Sequence, residues 1–305
     1  MQEIIDRITL RGLSRRSDRR GALQLALHCT LLSMTGFLVY SARGTVWLLP
    51  AIVLHGAVLD LLFCALHETI HRTAFRSRWM NDAVAWICGA LLLLPPEYFR
   101  LFHFAHHRFT QDPGRDPELA QPPPSTLASY LWRATGLPNW HKRLTVTLHH
   151  ALTGRVCEPF VPAPKRRMIV REARLLWCTY AAIFVLSVLL RRPDALIYWV
   201  LPAVAGQPFL RLFLFAEHAD CALTDNMYAN TRTTYTNGAL RLLAWQMPFH
   251  VEHHVFPAVP FHALSRLNAL VRERIQVSSP GYLALHRSMI RRFMTRAVVQ
   301  RQSHL

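Results

Sequence analysis

Four stretches of this chain are apolar and long enough to leave little choice of fold: about 22–41, 45–65, 174–190 and 195–211. A helix crossing the hydrocarbon core of a bilayer needs roughly 17–25 such residues. In lipid the backbone must satisfy its own polar groups, so stretches like these become helices. Short breaks at "SARG" and "RRPD" join them in pairs. The first run is too long for the core of a signal peptide and has no evident cleavage site. The pattern predicts an all-α integral membrane protein, multi-pass, with four transmembrane helices in two hairpins. Pro202 and Pro208 should kink the fourth.

Between the hairpins, residues 83–94 ("AVAWICGALLLL") are too few to span and end at Pro95-Pro96. This segment should dip into the membrane or lie flat. Residues 121–162 mix apolar positions with Trp132, Trp140, Arg and His, as surface helices at a membrane interface do. Three regions result: a basic tail 1–21, a membrane domain 22–270, and a basic amphipathic tail 271–305. Within the domain, segments 66–173 and 212–270 should form a helical cap on one side of the membrane.

Charge tells which side. The net charge is +17, and of the 35 basic residues only Lys142 and Lys165 are Lys. Only Arg43, Arg191 and Arg192 fall in the two hairpin turns. The rest lie in the tails and the cap. Basic residues stay on the cytosolic side, so both termini and the cap are expected in the cytosol. The preference for Arg over Lys hints at a bacterial inner membrane. This asymmetry accounts for the charge without nucleic acid. The six Cys form no C-x-x-C pair, which excludes a zinc ribbon or a rubredoxin-type iron site.

The histidines carry the chemistry. Eight of 17 fall in three five-residue windows, where about one would fall by chance. The windows are "HETIH" (His67, His71), "HFAHH" (His103, His106, His107) and "HVEHH" (His250, His253, His254). On a helix, residues three and four apart share a face, so each window projects its imidazoles one way. Eight exceed the four ligands of a structural zinc, and two metals are the natural reading. His67 lies at the cytosolic end of the second span, and the dipping segment returns the chain to that side before His103. His218 follows the fourth span as His67 follows the second, and it is the expected ninth ligand. "HETIH" alone also matches the H-E-x-x-H helix of zinc proteases. An intramembrane zinc protease is therefore the rival, though no "LDG" motif accompanies it and two windows would lack a purpose. A heme or copper protein, or a non-catalytic lipid binder, fits the clustered windows less well.

These windows resemble the histidine boxes of the membrane fatty-acid desaturase and hydroxylase superfamily. The flanks are similar too: "HFAHHRFTQDPGRDPE" has that family's downstream Asp-Pro-Glu, and "HVEHHVFPAVPFHALSRL" its Phe-Pro and Leu-rich helix. The resemblance runs from about residue 22 to 270. It implies two iron ions held by the nine His, dioxygen as co-substrate, and attack on an unactivated C–H bond of a lipid or fatty acyl chain. Desaturation leads. Hydroxylation, or oxidative decarboxylation to a terminal alkene, needs the same ligands. No catalytic residue is expected beyond the metal centre. Electrons must come from a separate ferredoxin, cytochrome b5 or rubredoxin-type protein. In the acyl-CoA desaturases an Asn one turn before the lone His holds a water on the metal. The matching position here is Leu214, so the site looks closer to the all-His form of alkane hydroxylases.

Five acidic residues are candidates to orient the ligands. Asp60 shares a helical stripe with Cys64, His67 and His71, and an Asp this deep in a span is costly. Glu68, Glu217 and Glu252 each adjoin a proposed ligand and, turned about 100° away, should face a different His or cap a helix. Asp116, with Asp112 and Glu118, should orient the second window or form a turn. Among other histidines, His149 and His150 read as interfacial and His262 as a helix-start residue. His55 reads equally as packed polar residue or channel lining.

Overall fold

The computed structural model describes residues 5–302, with side chains to residue 295. The first four residues of the 1–21 segment and the last three of 271–305 lie outside the described residues. The described residues fold mostly into helices: α1 (Arg7–Leu13), α2 (Asp18–Ser41), α3 (Leu48–Asp60), α4 (Leu62–Ile70), α5 (Arg78–Leu91), α6 (Pro96–Phe109), α7 (Leu127–Ala134) and α8 (Leu137–Thr153). There follow α9 (Arg166–Leu189), α10 (Leu201–Ala205), α11 (Gln207–His218), α12 (Met227–Asn230), α13 (Gly238–Leu243), α14 (His250–Val255), α15 (Phe261–Val271) and α16 (Tyr282–Gln302). Two short strands, β1 (Thr233–Thr234) and β2 (Ser278–Ser279), pair in parallel.

Four helices are long and apolar enough to cross a membrane: Asp18–Ser41, Leu48–Ile70, Ala163–Leu189 and Leu196–His218. Each overlaps one of the four apolar runs, and three extend well past the expected bounds. The second and fourth gain about a turn or more at the end that carries His67 and His218. The reason is that a helix can leave the lipid without ending, provided its polar residues find partners in protein. The second is interrupted at Leu61, between α3 and α4. The fourth begins with a π-helical turn, Leu196–Val200, and continues through Pro202 and Pro208. The outer spans keep apolar faces exposed, with Phe37 on α2 and Phe184 on α9 more than 60% accessible.

The two inner spans meet backbone to backbone. A Cβ on Gly56 would lie 2.1 Å from the Pro202 carbonyl oxygen, and one on Gly206 would lie 2.2 Å from the Gly56 carbonyl. Small residues allow such close approach of membrane helices. Beside this seam the main core gathers Leu59, Leu62, Phe63, Leu66, Phe99, Leu210 and Trp245. His55 bridges three elements here: Thr35 Oγ1 lies 2.8 Å from its Nδ1 and the Tyr198 carbonyl 3.0 Å from its Nε2. It is a packed polar residue, as one of its two readings had it.

Residues 83–94 end in a sharp turn between α5 and α6. α5 and α6 meet at 97°. The backbone N–H of Leu94 donates to the Gly89 carbonyl at 2.8 Å, and a Cβ on Gly89 would strike the Leu94 carbonyl at 2.5 Å. Pro95 and Pro96 then start α6, where a missing N–H costs nothing. Surface helices α7 and α8 fall inside the predicted interval 121–162. Thr126 caps α7 with a reciprocal Ser129 contact, and Gly154, in the left-handed region, closes α8. His150 is buried against Glu158 at 2.9 Å rather than interfacial. His262 sits in the first turn of α15, where Arg20 lies 3.0 Å from its Nδ1.

Candidate metal centre

All nine expected histidines converge. His67 lies in the last turn of α4 and His71 follows that helix; His103, His106 and His107 lie on the last turns of α6; His218 ends α11; His250, His253 and His254 make up half of α14. Helical spacing puts each set on one face, and the turn at Pro95-Pro96 swings α6 back beside α4. Eight form two groups able to hold a metal ion: His67, His71, His103, His107 and His253, and, beside it, His106, His218 and His254. The ninth, His250, has its Nε2 3.2 Å from that of His218 and 3.1 Å from that of His254.

Ring nitrogens face one another at short range. His103 Nε2 and His107 Nε2 are 2.9 Å apart, His107 and His253 Nε2 3.0 Å, and His106 and His218 Nε2 3.2 Å. Nitrogens bound at about 2.1 Å to one ion, at right angles, would stand about 3 Å apart. Both ring nitrogens of His67 and Nε2 of His71 are buried with no hydrogen-bond partner. Buried polar atoms of this kind are costly unless something satisfies them. A cation between converging lone pairs does so, and the donor set fits one.

The protonation states of three of these rings agree. Burial, with the neighbouring imidazoles, pushes His71, His253 and His254 well below the usual histidine range. Neutral imidazole is the ligand form. In the second group the outer nitrogens are tied down. The His106 Nδ1–H donates to Asp116 at 3.0 Å, and the His218 Nδ1–H to the Asn230 carbonyl at 3.1 Å. His254 Nδ1 lies 3.3 Å from Thr110 Oγ1, whose own hydrogen goes to the His106 carbonyl at 2.8 Å. A carboxylate or carbonyl only accepts, so in His106 and His218 the free lone pair is on Nε2, facing the group. Thr110 and Asn230 were missed in the sequence. Thr110 stands one turn beyond His106, a spacing that could have revealed it; Asn230 is brought in by tertiary structure alone.

Of the five acidic candidates, Asp116 contacts His106 and also forms the turn. It accepts the backbone N–H of Gln111 and Glu118, each at 2.9 Å. Burial would raise its carboxyl, but these bonds and His106 hold it below its ordinary value. Asp116→Asn should therefore weaken metal binding at His106 by roughly 10–100-fold, measured as faster loss of metal to a chelator.

The other four make different contacts. Glu217 faces His250, with its Oε2 3.6 Å from that ring's Nε2, the inner nitrogen. Glu68 accepts from Thr73 Oγ1 at 2.8 Å and from the Phe261 N–H at 3.2 Å; it ties the chain after α4 to the start of α15. Glu252 accepts from Thr233 Oγ1 at 2.6 Å and from Asn268, linking α14 to β1 and α15. Both oxygens of Asp60 are buried without a hydrogen bond, and the cations acting on it are Arg143 of α8 and Arg211 of α11. None of these three touches a histidine through a hydrogen bond. A residue beside a ligand points away from the ligand's face, and only the tertiary packing decides what it meets there. Glu68 is the Glu of "HETIH". With both its contacts directed to Thr73 and Phe261, it is not placed as the general base of a zinc protease.

Comparison with known proteins leads to the same family as the windows. A dihydrorhizobitoxine desaturase of Bradyrhizobium elkanii is 26% identical over 255 residues, covering 77% of this chain and 70% of the relative. A sphingolipid delta(4)-desaturase DES1 of Drosophila melanogaster is 27% identical over 234 residues, covering 74% and 67%. An endoplasmic reticulum omega-6 fatty acid desaturase of Glycine max is 25% identical over 255 residues, covering 72% and 64%. The family model described as "Fatty acid desaturase" matches residues 43–286, four-fifths of the sequence and every one of the nine histidines. The chain belongs to the fatty acid desaturase family.

Proposed function

We propose that the nine histidines hold two irons and that the protein uses dioxygen to desaturate a fatty acyl or other lipid chain. The observation that carries this reading is the convergence of inner ring nitrogens, from four separate parts of the chain, into two adjacent groups. Iron supplies what side chains lack, a redox centre able to activate dioxygen; zinc would not.

The protein's own part is positioning and exclusion. Asp116, Thr110 and the Asn230 carbonyl fix which nitrogen of each ring is free. Phe63 and Phe99 pack tilted against His67 and His103, with ring centroids 6.4 and 5.5 Å away. Their apolar faces keep water from the reaction and suit a hydrocarbon substrate. Substrate reaches the site from the bilayer between the spans. The membrane domain 22–270 takes the two-hairpin layout in a bacterial inner membrane, with termini and the metal-bearing cap in the cytosol, as the positive-inside rule directs. There the basic cap meets a separate acidic electron carrier of ferredoxin, cytochrome b5 or rubredoxin type.

Hydroxylation and oxidative decarboxylation use the same ligands and differ in where the chain lies against the metals. Mass spectrometry of lipids from an expressing host, grown under isotopically labelled dioxygen, separates the three. Desaturation gives a product two hydrogens lighter with no label. A labelled hydroxyl would reassign the chain as a hydroxylase, and a terminal alkene one carbon shorter as a decarboxylase.

A further inference from the structure

The two histidine groups differ in their counter-charge. Around His67, His71, His103, His107 and His253 no carboxylate reaches a ring nitrogen among the described residues. Nδ1 of His67, His107 and His253 has no hydrogen-bond partner, and the charged side chain acting on His71 is Arg100. The His106–His218–His254 group has three carboxylates. Asp116 lies 3.0 Å and Glu118 3.8 Å from His106 Nδ1, and Glu217 lies 3.6 Å from His250 Nε2.

These three are not equivalent. Asp116 and Glu118 stand behind a ring, on its outer nitrogen. Glu217 stands in front of one. The His250 nitrogen it approaches is the same atom that lies 3.2 Å from His218 Nε2 and 3.1 Å from His254 Nε2. The other Glu217 oxygen, Oε1, is buried with no hydrogen-bond partner, and its side chain is only 12% exposed. Two divalent ions ringed by neutral imidazoles leave their whole charge in a low-dielectric interior, which is costly without an anion beside them. A carboxylate oxygen is also a good donor for iron. A small side-chain rotation closes 3.6 Å to the spacing of about 3 Å that neighbouring ligands of one ion share.

We propose that Glu217 is a tenth metal ligand, a carboxylate donor to the metal of the His106–His218–His254 group, and that the two metals are chemically inequivalent. The inference rests on the two-iron reading above. It gives one metal an all-imidazole shell and the other a mixed nitrogen–oxygen shell, which stabilises the oxidised state of the second. Leu214 brings no donor on the preceding turn of α11, so Glu217 is the residue of that helix end, besides His218, that can reach the metal.

The test is Mössbauer spectroscopy of the full-length protein in detergent, loaded with the Mössbauer-active iron isotope. The native protein should show two iron signals of equal area and different parameters. Glu217→Gln should move one and leave the other in place, and should shorten the chelator half-time of one iron at least tenfold; Glu217→Asp should restore most of both. A single signal for both irons in the native protein would overturn the proposal, whether or not the variants fold. So would a Glu217→Gln spectrum superimposable on the native one. A native preparation with no iron would overturn the two-iron reading itself, and this inference with it.

Discussion

His107→Ala should abolish turnover, with a loss well beyond the roughly 10–100-fold that follows from removing a residue behind a ligand. His107 Nε2 faces His103 at 2.9 Å and His253 at 3.0 Å, so its ring joins the second histidine window to the third. It also stacks on His254, at 4.1 Å between centroids, which puts it at the border of the two groups. Its removal deletes a ligand from one group and loosens the packing of the other. Iron should fall from two per chain to one or fewer, while helical content by circular dichroism stays unchanged, since none of the contacts between the inner spans involves this ring. His141→Ala is the control. That residue is exposed on α8, outside both groups, and should leave iron and turnover as they were.

Gly206→Val should have the second large effect, on folding rather than chemistry. The added Cβ would sit 2.2 Å from the Gly56 carbonyl carbon and oxygen and 2.8 Å from the Ala57 nitrogen. These are backbone atoms of a facing helix, which cannot rotate away as a side chain does. Overpacking typically costs 1–3 kcal/mol, and a clash between backbones should cost about 3 kcal/mol or more. The spans it would separate carry His67 and His218. Folded, monodisperse protein in detergent should therefore drop several-fold, and what remains should lose iron. Gly238→Ala meets nothing within 4 Å and should match the native yield.

The sequence resolved some features and not others, for physical reasons. The three windows and His218 were legible because a helix turns spacing into a shared face, and because apolar run lengths set how the chain threads between them. The turn after residues 83–94 was legible from the shortness of that run and from Pro95-Pro96. Helix ends were not. α4 and α11 run past their apolar stretches because Glu68, Arg211 and Glu217 are enclosed by protein rather than left in lipid. The cations acting on Asp60 were hidden for a related reason. Helical periodicity placed it on the ligand stripe, but Arg143 and Arg211 lie 83 and 151 positions away in the chain. The groups that orient the rings divide the same way: Asp116, near its window, could be named, while the Asn230 carbonyl, in a short helix beyond the fourth span, could not.

Metal analysis of the purified full-length protein in detergent tests the central claim most directly. Two irons per chain, lost from the His107→Ala protein and retained in His141→Ala, is the predicted result. One stoichiometric zinc and no iron would contradict it, because a single redox-inert ion would leave most of the nine converging imidazoles without a role.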